Sequence, residues 1–428
     1  MHSASRLTAG RTEPVGDRLL SVADVLTGFT RWLHDFGEKS WDHQSFFAGP
    51  LGGRAKALYY RQKAIGTVAV APMIICEALL PSARRLFHEP IRFPIADAHY
   101  AMGFASLHQA TGDSTYLDRA VHFLEALKRS RSPRYSEHCW GYPFDWVTRN
   151  GTYLRDTPYI TSTPYVYEAF LQIYDIDKRA EWRHILESIV RHVCVDIRDF
   201  RFSDTASSCG YFPDDAEGGV VNAAAYRAFN LTSAAQVFGR EEYWRIAERN
   251  LAFVLESQNP DGSWPYAKDG VRDFVDHFHT CFVLKALGKV HALTGHAPTL
   301  NALERGVRFY LDHLFDADGL PRPFAKAPRV TVYKRELYDC AEAINLCLLL
   351  RDRFPECGSR LETIVGGILM DWVKPDGSFR SRKLLLGWDN VPMHRWAQSQ
   401  MFRSLACYYR EGRSIGGGPA GVAPERIH

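Results

Sequence analysis

The chain has 428 residues, 46% of them hydrophobic, 13% aromatic and 24% charged, with a formal net charge of +3. That is a globular composition with an aromatic excess, and its dispersed, nearly balanced charges argue against nucleic-acid binding. Nine cysteines without framework spacing read as reduced thiols, and no segment reads as a secretory signal or a membrane span, so a cytoplasmic protein is expected.

Residues 1–17 are polar and read as a disordered segment. Residues 18–410 read as one domain, because no Pro/Gly/Ser-rich linker interrupts them. Segment 19–36 is expected to be a helix at a seam, and segment 61–87 to hold the outer partner of the first inner helix. From there two kinds of helix alternate. Segments 116–128, 181–198, 241–257, 300–315 and 361–373 are one-sided: in 241–257, Trp244, Ala247, Leu251 and Val254 recur at helical spacing opposite Glu241, Glu242, Arg245, Glu248 and Arg249. Segments 96–109, 159–174, 220–238, 274–287, 338–350 and 393–409 are apolar on most faces. A helix with little polar face must be surrounded by other helices. The pattern therefore predicts an all-α fold, an (α/α)6 toroid with an inner and an outer ring. Residues 411–428, with Gly416, Gly417 and Gly418, read as a disordered tail.

Gly141, Gly210, Gly262, Gly319 and Gly377, spaced 52 to 69 residues apart, mark the loops between outer and inner helices. Each carries an aromatic: Tyr142, Tyr211, Trp264, Phe324 and Phe379. Connectivity puts all five on one rim, where the inner helices present their N-termini, a setting suited to an anion or a polar ligand. The loops before Thr157 and before Asp276 are expected to carry the chemistry, and the other three to be architectural.

Three constellations stand out. In 138–167, Trp140, Tyr142 and Trp146 offer platforms for sugar rings, while Asp145, Asp156, Arg149, Asn150, Arg155 and Tyr159 can bond hydroxyls or act in acid–base steps. Arg149 or Arg155 can grip a uronate carboxylate; Asp156 or Thr157 can instead cap the next helix before Pro158. Second, Asp276 and His279 are three apart and share a helix face, so the carboxylate can orient the imidazole as a general base or acid. Asp276 can equally be a plain N-cap. His277 points elsewhere and remains a candidate substrate contact. Histidines at i and i+2 do not converge, and neither a metal nor a cofactor is expected. Third, Tyr338 and Asp339 with Glu342, and Arg395 with Trp396, open two further inner helices. Serine-hydrolase, phosphate-loop, dinucleotide and Asp-rich cyclase motifs are lacking.

The blocks CWGYPFDW at 139–146, TPYITSTPYVYEAF at 157–170, FVDHFHTCFVLKAL at 274–287 and RWAQSQMF at 395–402 carry a resemblance. Over about residues 93–409 the chain resembles the α/α-toroid proteins encoded in bacterial exopolysaccharide and capsule loci, whose toroid relatives include terpene cyclases and six-hairpin glycan enzymes. That family often shows Asp-Asn-Phe-His where this chain has Asp276-His277-Phe278-His279, which leaves Asp276 and His279 as the stronger pair. The resemblance implies a saccharide or polysaccharide partner and, alongside it, polysaccharide-assembly proteins.

Three function classes stay open. Glycoside hydrolysis would pair two carboxylates from Asp145, Asp156, Asp276, Asp339 and Glu342. Epimerisation or β-elimination on a uronate would use Tyr159 or His279 as base, with Arg149 or Asn150 neutralising the carboxylate. The richness in arginine, tyrosine and histidine favours this second chemistry. A non-catalytic glycan-binding or assembly protein would keep the aromatics alone, and an isoprenoid-handling toroid is a more distant alternative.

Overall fold

The computed structural model describes residues 20–149, 151–328 and 331–415. Helix α1 (Val22–Phe36) is capped reciprocally by Ser21 and Asp24 and buries Val25, Leu26, Phe29, Trp32 and Leu33 along one stripe. The chain then makes an excursion holding α2 (Ser45–Ala48), α3 (Pro50–Arg61) and α4 (Lys63–Leu79). Its neck is pinned by two backbone hydrogen bonds of 3.0 Å between Ser40 and Ile91. Next come α5 (Pro94–Thr111), α6 (Ser114–Arg129), the hairpin β1 (Trp146–Thr148) and β2 (Gly151–Tyr153), α7 (Thr163–Asp177) and α8 (Ala180–Arg191). They are followed by β3 (Asp199–Arg201), β4 (Ser207–Cys209), α9 (Val221–Phe238), α10 (Glu241–Glu256), β5 (Val275–Asp276), α11 (His277–Thr294) and α12 (Ala297–His313). The described chain ends with β6 (Phe324–Lys326), β7 (Tyr333–Glu336), α13 (Leu337–Leu350), α14 (Pro355–Asp371), β8 (Arg382–Leu384), β9 (Trp388–Asp389) and α15 (Ser399–Ile415).

Helices α5, α7, α9, α11, α13 and α15 pack side by side into a closed inner ring. Their burial shows why: on α5 every residue from Ala96 to Leu107 is buried, and on α9 every residue from Val221 to Ala234. Around them lie the one-sided helices α1, α6, α8, α10, α12 and α14. Among the described residues this is the (α/α)6 toroid that the helix pattern predicts.

The first outer helix is a correction. Segment 61–87 does not fill that place; α1 does. Phe29 of α1 is fully buried, with ring centroids 5.1 Å from Phe379 and from Phe402 of α15. Helix α4 buries only Gly66, Met73 and Glu77 and belongs to the excursion, which has a small core of its own around Phe46, Met73 and Ala83. Buried ion pairs clamp that excursion to the α14–α15 loop. Arg84 Nη2 lies 2.7 Å from both Glu77 and Asp389, and Arg382 Nη1 lies 2.6 Å from Glu77.

Boundaries shift in three places. Helix α7 starts at Thr163 rather than Tyr159, because the Tyr159 and Ile160 N–H groups donate to Trp140 and Tyr211 of neighbouring loops. The segment after α8 is a π-helical turn at His192–Asp196, and α15 is preceded by another at His394–Gln398. Helix α15 also runs on to Ile415, so 411–415 belong to it and not to a tail. Segments 1–17 and 416–428 lie outside the described residues.

Among the described residues, every strand lies in a loop that leads from an outer helix to the next inner one. These loops are stitched to each other: β5 pairs with β6, and β7 with β8. The opposite end is closed by tight turns such as Gly112, Gly239 and Gly295, all left-handed. All five marker glycines sit on the stranded rim, for different reasons. Gly377 has φ +90°, whereas Gly141 is needed for close approach, since a Cβ there would lie 2.0 Å from the Thr157 carbonyl oxygen.

Candidate active site

Asp276 ends β5 and is the N-cap of α11, and the two competing readings of it turn out to hold together. Its Oδ1 accepts from the His279 backbone N–H at 3.0 Å, and its Oδ2 lies 2.6 Å from His279 Nδ1. A carboxylate only accepts, so Nδ1 carries the proton and Nε2 is left as the basic nitrogen. Asp276 is 3% exposed while the His279 side chain is 20% exposed, a buried orienting group behind a reachable imidazole.

Around this pair the rim aromatics close into a ring. Tyr142 and Tyr159 have centroids 4.8 Å apart, and Tyr159 and Tyr211 5.7 Å. Tyr211 neighbours Tyr266, which stands edge-on to His279 at 4.7 Å. His279 meets Phe278 at 4.3 Å, and Phe278 meets Trp396 at 6.0 Å. The Arg395 guanidinium completes the circuit, 4.7 Å from the Trp396 ring and 4.4 Å from that of Tyr142. Trp146 leans on Tyr142 and Tyr159, and Tyr338 lies under Trp396 at 4.7 Å. Trp140 is buried beneath, its indole N–H donating to Leu127, so it supports the platform without lining it. The excursion roofs one side: Asp42 accepts from Arg395 Nε at 2.6 Å, and His43 packs 5.1 Å from Trp396.

Several polar atoms at this site have no hydrogen-bond partner among the described residues. They include both amide atoms of Asn222, Oδ1 of Asp339 and Nη2 of Arg395. Asn222 is 2% exposed and lines a cavity of about 10 Å³, room for one water, together with Tyr266, Asp276 and His279. Burial first, then the neighbouring carboxylates Glu336, Asp276 and Glu342, push the Asp339 carboxyl well above the ordinary value. Both effects favour its protonated form.

Other candidates fall elsewhere. Glu342 is fully buried and ion-paired with Lys285, with Tyr165 3.4 Å away, so it fills the pore below the ring and is not free to act on a ligand at the rim. His277 is a correction. It is fully buried and turned to the outer ring, with Nδ1 3.1 Å from the Leu314 carbonyl and Nε2 3.0 Å from the Tyr310 hydroxyl. Burial depresses its pKa to about 3, which favours the neutral form of a ring whose two nitrogens are already bonded within the protein. Asp145, Arg149 and Arg155 are exposed on or beside the β1–β2 hairpin. Asp145 accepts from the Arg155 backbone N–H at 2.8 Å and Arg155 donates to the Pro143 carbonyl at 2.9 Å, so they brace the hairpin. Neither Asp156 nor Thr157 caps α7, which begins past Ser162; Asp156 instead occupies a left-handed turn at φ 61°. Asn150 lies outside the described residues.

Sequence reading underweighted Tyr211, Tyr266, Phe278 and Asn222. The Gly210 loop, read as architectural, contributes Tyr211 to the ring. Its Gly-aromatic signal was identical to that of the richer loops, so only the packing separates them. Among the described residues no three His, Cys, Asp or Glu side chains form a metal-holding group. A larger open groove of about 670 Å³ lies beyond β5, but its Lys326 and Asp273 pair with each other at 2.5 Å and it lacks an aromatic ring of this kind.

No family model and no curated protein matches the chain. Among solved structures it is similar to a sugar epimerase from a ruminal bacterium, at 13% identity over 77% of this chain and 89% of that one, with a TM-score of 0.57. It is similar also to the unsaturated glucuronyl hydrolase of Bacillus sp. GL1, at 13% identity over 90% and 94%, TM-score 0.57. A possible GH105 member from Salmonella enterica matches at 12% identity over 95% and 100%, TM-score 0.59. At these identities the likeness shows the fold, and the chain is an α/α toroid.

Proposed function

We propose that this protein is a carbohydrate-active enzyme of bacterial polysaccharide metabolism in which His279 abstracts a proton from a carbon next to a carbonyl or carboxyl group, as an epimerase or a lyase does. The observation that carries this is the 2.6 Å Asp276–His279 contact set inside a ring of sugar-sized aromatic faces. Asp276 holds the base in one tautomer and offsets the charge it gains on protonation. The unpartnered Arg395 Nη2 and the Asn222 amide are placed to bond a carboxylate or hydroxyls, and Asp339 to return a proton. Tyr159 is fully buried and its hydroxyl is pushed far up by burial, so it backs the rim aromatics and is poorly suited as base.

Hydrolysis is the weaker reading, because three of its five candidate carboxylates are engaged, Asp276 by His279, Glu342 by Lys285 and Asp145 by the hairpin backbone, which leaves Asp156 and Asp339. The similarity to sugar epimerases and a glucuronyl hydrolase supports a saccharide substrate, and the exopolysaccharide setting rests on the sequence resemblance. One observation favours the glycan-binding alternative. The cavity beside His279 holds about one water, so a sugar ring has to lie on the aromatic ring and not below it.

The test is incubation with acidic and neutral oligosaccharides from bacterial exopolysaccharides in D2O, read by NMR and mass spectrometry. Deuterium at carbon with the chain intact indicates epimerisation, and an unsaturated product indicates elimination. New reducing ends with neither carbon-bound deuterium nor an unsaturated product contradict the proton-abstraction reading. Saturable binding with no product of any kind assigns the binding role.

A further inference from the structure

Helix α4 carries an apolar stripe on its outer face. Ile65, Val68, Pro72, Ile75 and Leu79 follow one another at steps of three and four, and all are exposed, Val68 to 74%. Leu51, Leu80 and Leu86 of the same excursion are exposed as well. The direction of that face is fixed by the opposite one. Gly66, Met73 and Glu77 point inward, and a Cβ on Gly66 would lie 2.1 Å from Tyr59 Cα, so α3 and α4 can only cross with this side facing in. An apolar patch of this extent on an otherwise polar surface marks a contact surface.

The charges say what kind of surface it meets. Between Ser45 and His88 the sequence holds Arg54, Lys56, Arg61, Lys63, Arg84 and Arg85 but one acid, Glu77. Glu77 is buried under Arg84 and Arg382. Arg54, Arg61, Lys63 and Arg85 are exposed, and Tyr60 is exposed at the α3–α4 corner. Apolar side chains flanked by cations and an aromatic, with Glu89 the one exposed acid of residues 41–90, are complementary to an anionic bilayer surface: the stripe enters the acyl boundary and the cations meet phosphate. Helix α4 is 17 residues long with Pro72 inside it, and among the described residues no helix is long and apolar enough to cross a membrane. A second copy is disfavoured, because a twofold contact would set this cationic margin against itself.

We propose that residues 41–90 form a monotopic foot that docks the protein on an anionic lipid surface. Because Asp42 bonds Arg395 and Arg84 pairs with Asp389, the foot is fastened to the rim, and docking sets the aromatic ring beside the bilayer. The docking is independent of the reaction proposed above, and its test uses no turnover.

The full chain is floated with phosphatidylcholine vesicles and with vesicles that also contain phosphatidylglycerol, at low and high salt. The expected result is co-flotation with the anionic vesicles, weakened by salt. It should fall at least about tenfold in Val68→Glu/Ile75→Glu and, separately, in Arg61→Gln/Lys63→Gln, at about 1 kcal/mol per cation. Circular dichroism melts should be unchanged in the charge variant, which leaves every packed residue in place. Absence of wild-type binding to anionic vesicles overturns the proposal, as does equal binding to neutral ones or binding indifferent to both variants. A wild-type dimer by light scattering that Val68→Glu/Ile75→Glu splits, without vesicle binding, assigns the face to a second copy instead.

Discussion

The Asp276 carboxylate holds His279 twice, accepting from its backbone N–H at 3.0 Å and lying 2.6 Å from its Nδ1. The two functions separate by substitution. Asp276→Asn keeps a capping oxygen, so the fold should lose less than about 1 kcal/mol. Its amide N–H, however, faces Nδ1 and favours the tautomer with the proton on Nε2, which should cut turnover about 10²- to 10⁴-fold. Asp276→Ala should show the same loss with a further ~1 kcal/mol of destabilisation. Urea melts and initial rates on the same preparations check this.

Asn222 should behave in the opposite sense. Its buried amide has no hydrogen-bond partner among the described residues, so Asn222→Ala removes little that stabilises the fold. Stability should stay within about 1 kcal/mol of wild type, while saccharide affinity or turnover falls about tenfold through loss of one bonding group. Isothermal titration beside thermal melts reads both. A large loss of stability would show the amide to be structural.

Two buried groups give the stability–pH profile opposite tilts. The pKa of His277 is about 3 in the fold against an ordinary 6.5, so its neutral form is the folded one. Its contribution is present above pH 6.5 and is lost as pH falls from there toward 3. Asp339 is raised from 3.8, so its contribution is present below about that pH and is lost as pH rises through the folded value. Each costs up to about 1.4 kcal/mol per pH unit within its window. Denaturant melts across pH should show His277→Gln flattening the acid side and Asp339→Asn the upper side, relative to wild type.

The place of α1 in the ring is testable by stability alone. Phe29→Ala should cost about 3–5 kcal/mol, since Phe29 packs between Phe379 and Phe402. Val68→Ala, on the excursion, should change stability by no more than about 0.5 kcal/mol. Equal effects would return segment 61–87 to the core.

The two rings were legible because burial is written into helix composition. A segment such as 220–238 has no polar face to give to water, and one such as 241–257 has a full one. The rim followed from connectivity, and with it the meeting of Tyr142, Asp276, His279, Arg395 and Trp396. What stayed hidden was direction. Asp145, Arg149 and Arg155 sit among aromatics in the sequence, yet a hairpin of two three-residue strands and its flanks carry them out to solvent. His277 and His279 share a motif and face opposite ways, one to Tyr310 and one to Tyr266. Segment 61–87 was apolar enough to pass for a ring helix, because hydropathy does not distinguish a face turned to protein from one left bare.

The central claim is that His279 is the base. It is tested most directly by measuring saccharide binding and proton abstraction, read as carbon-bound deuterium or as unsaturated product, for wild type and His279→Ala on one ligand. That rate should fall at least about 10²-fold while the dissociation constant changes by less than about fivefold. An undiminished rate in His279→Ala would contradict it.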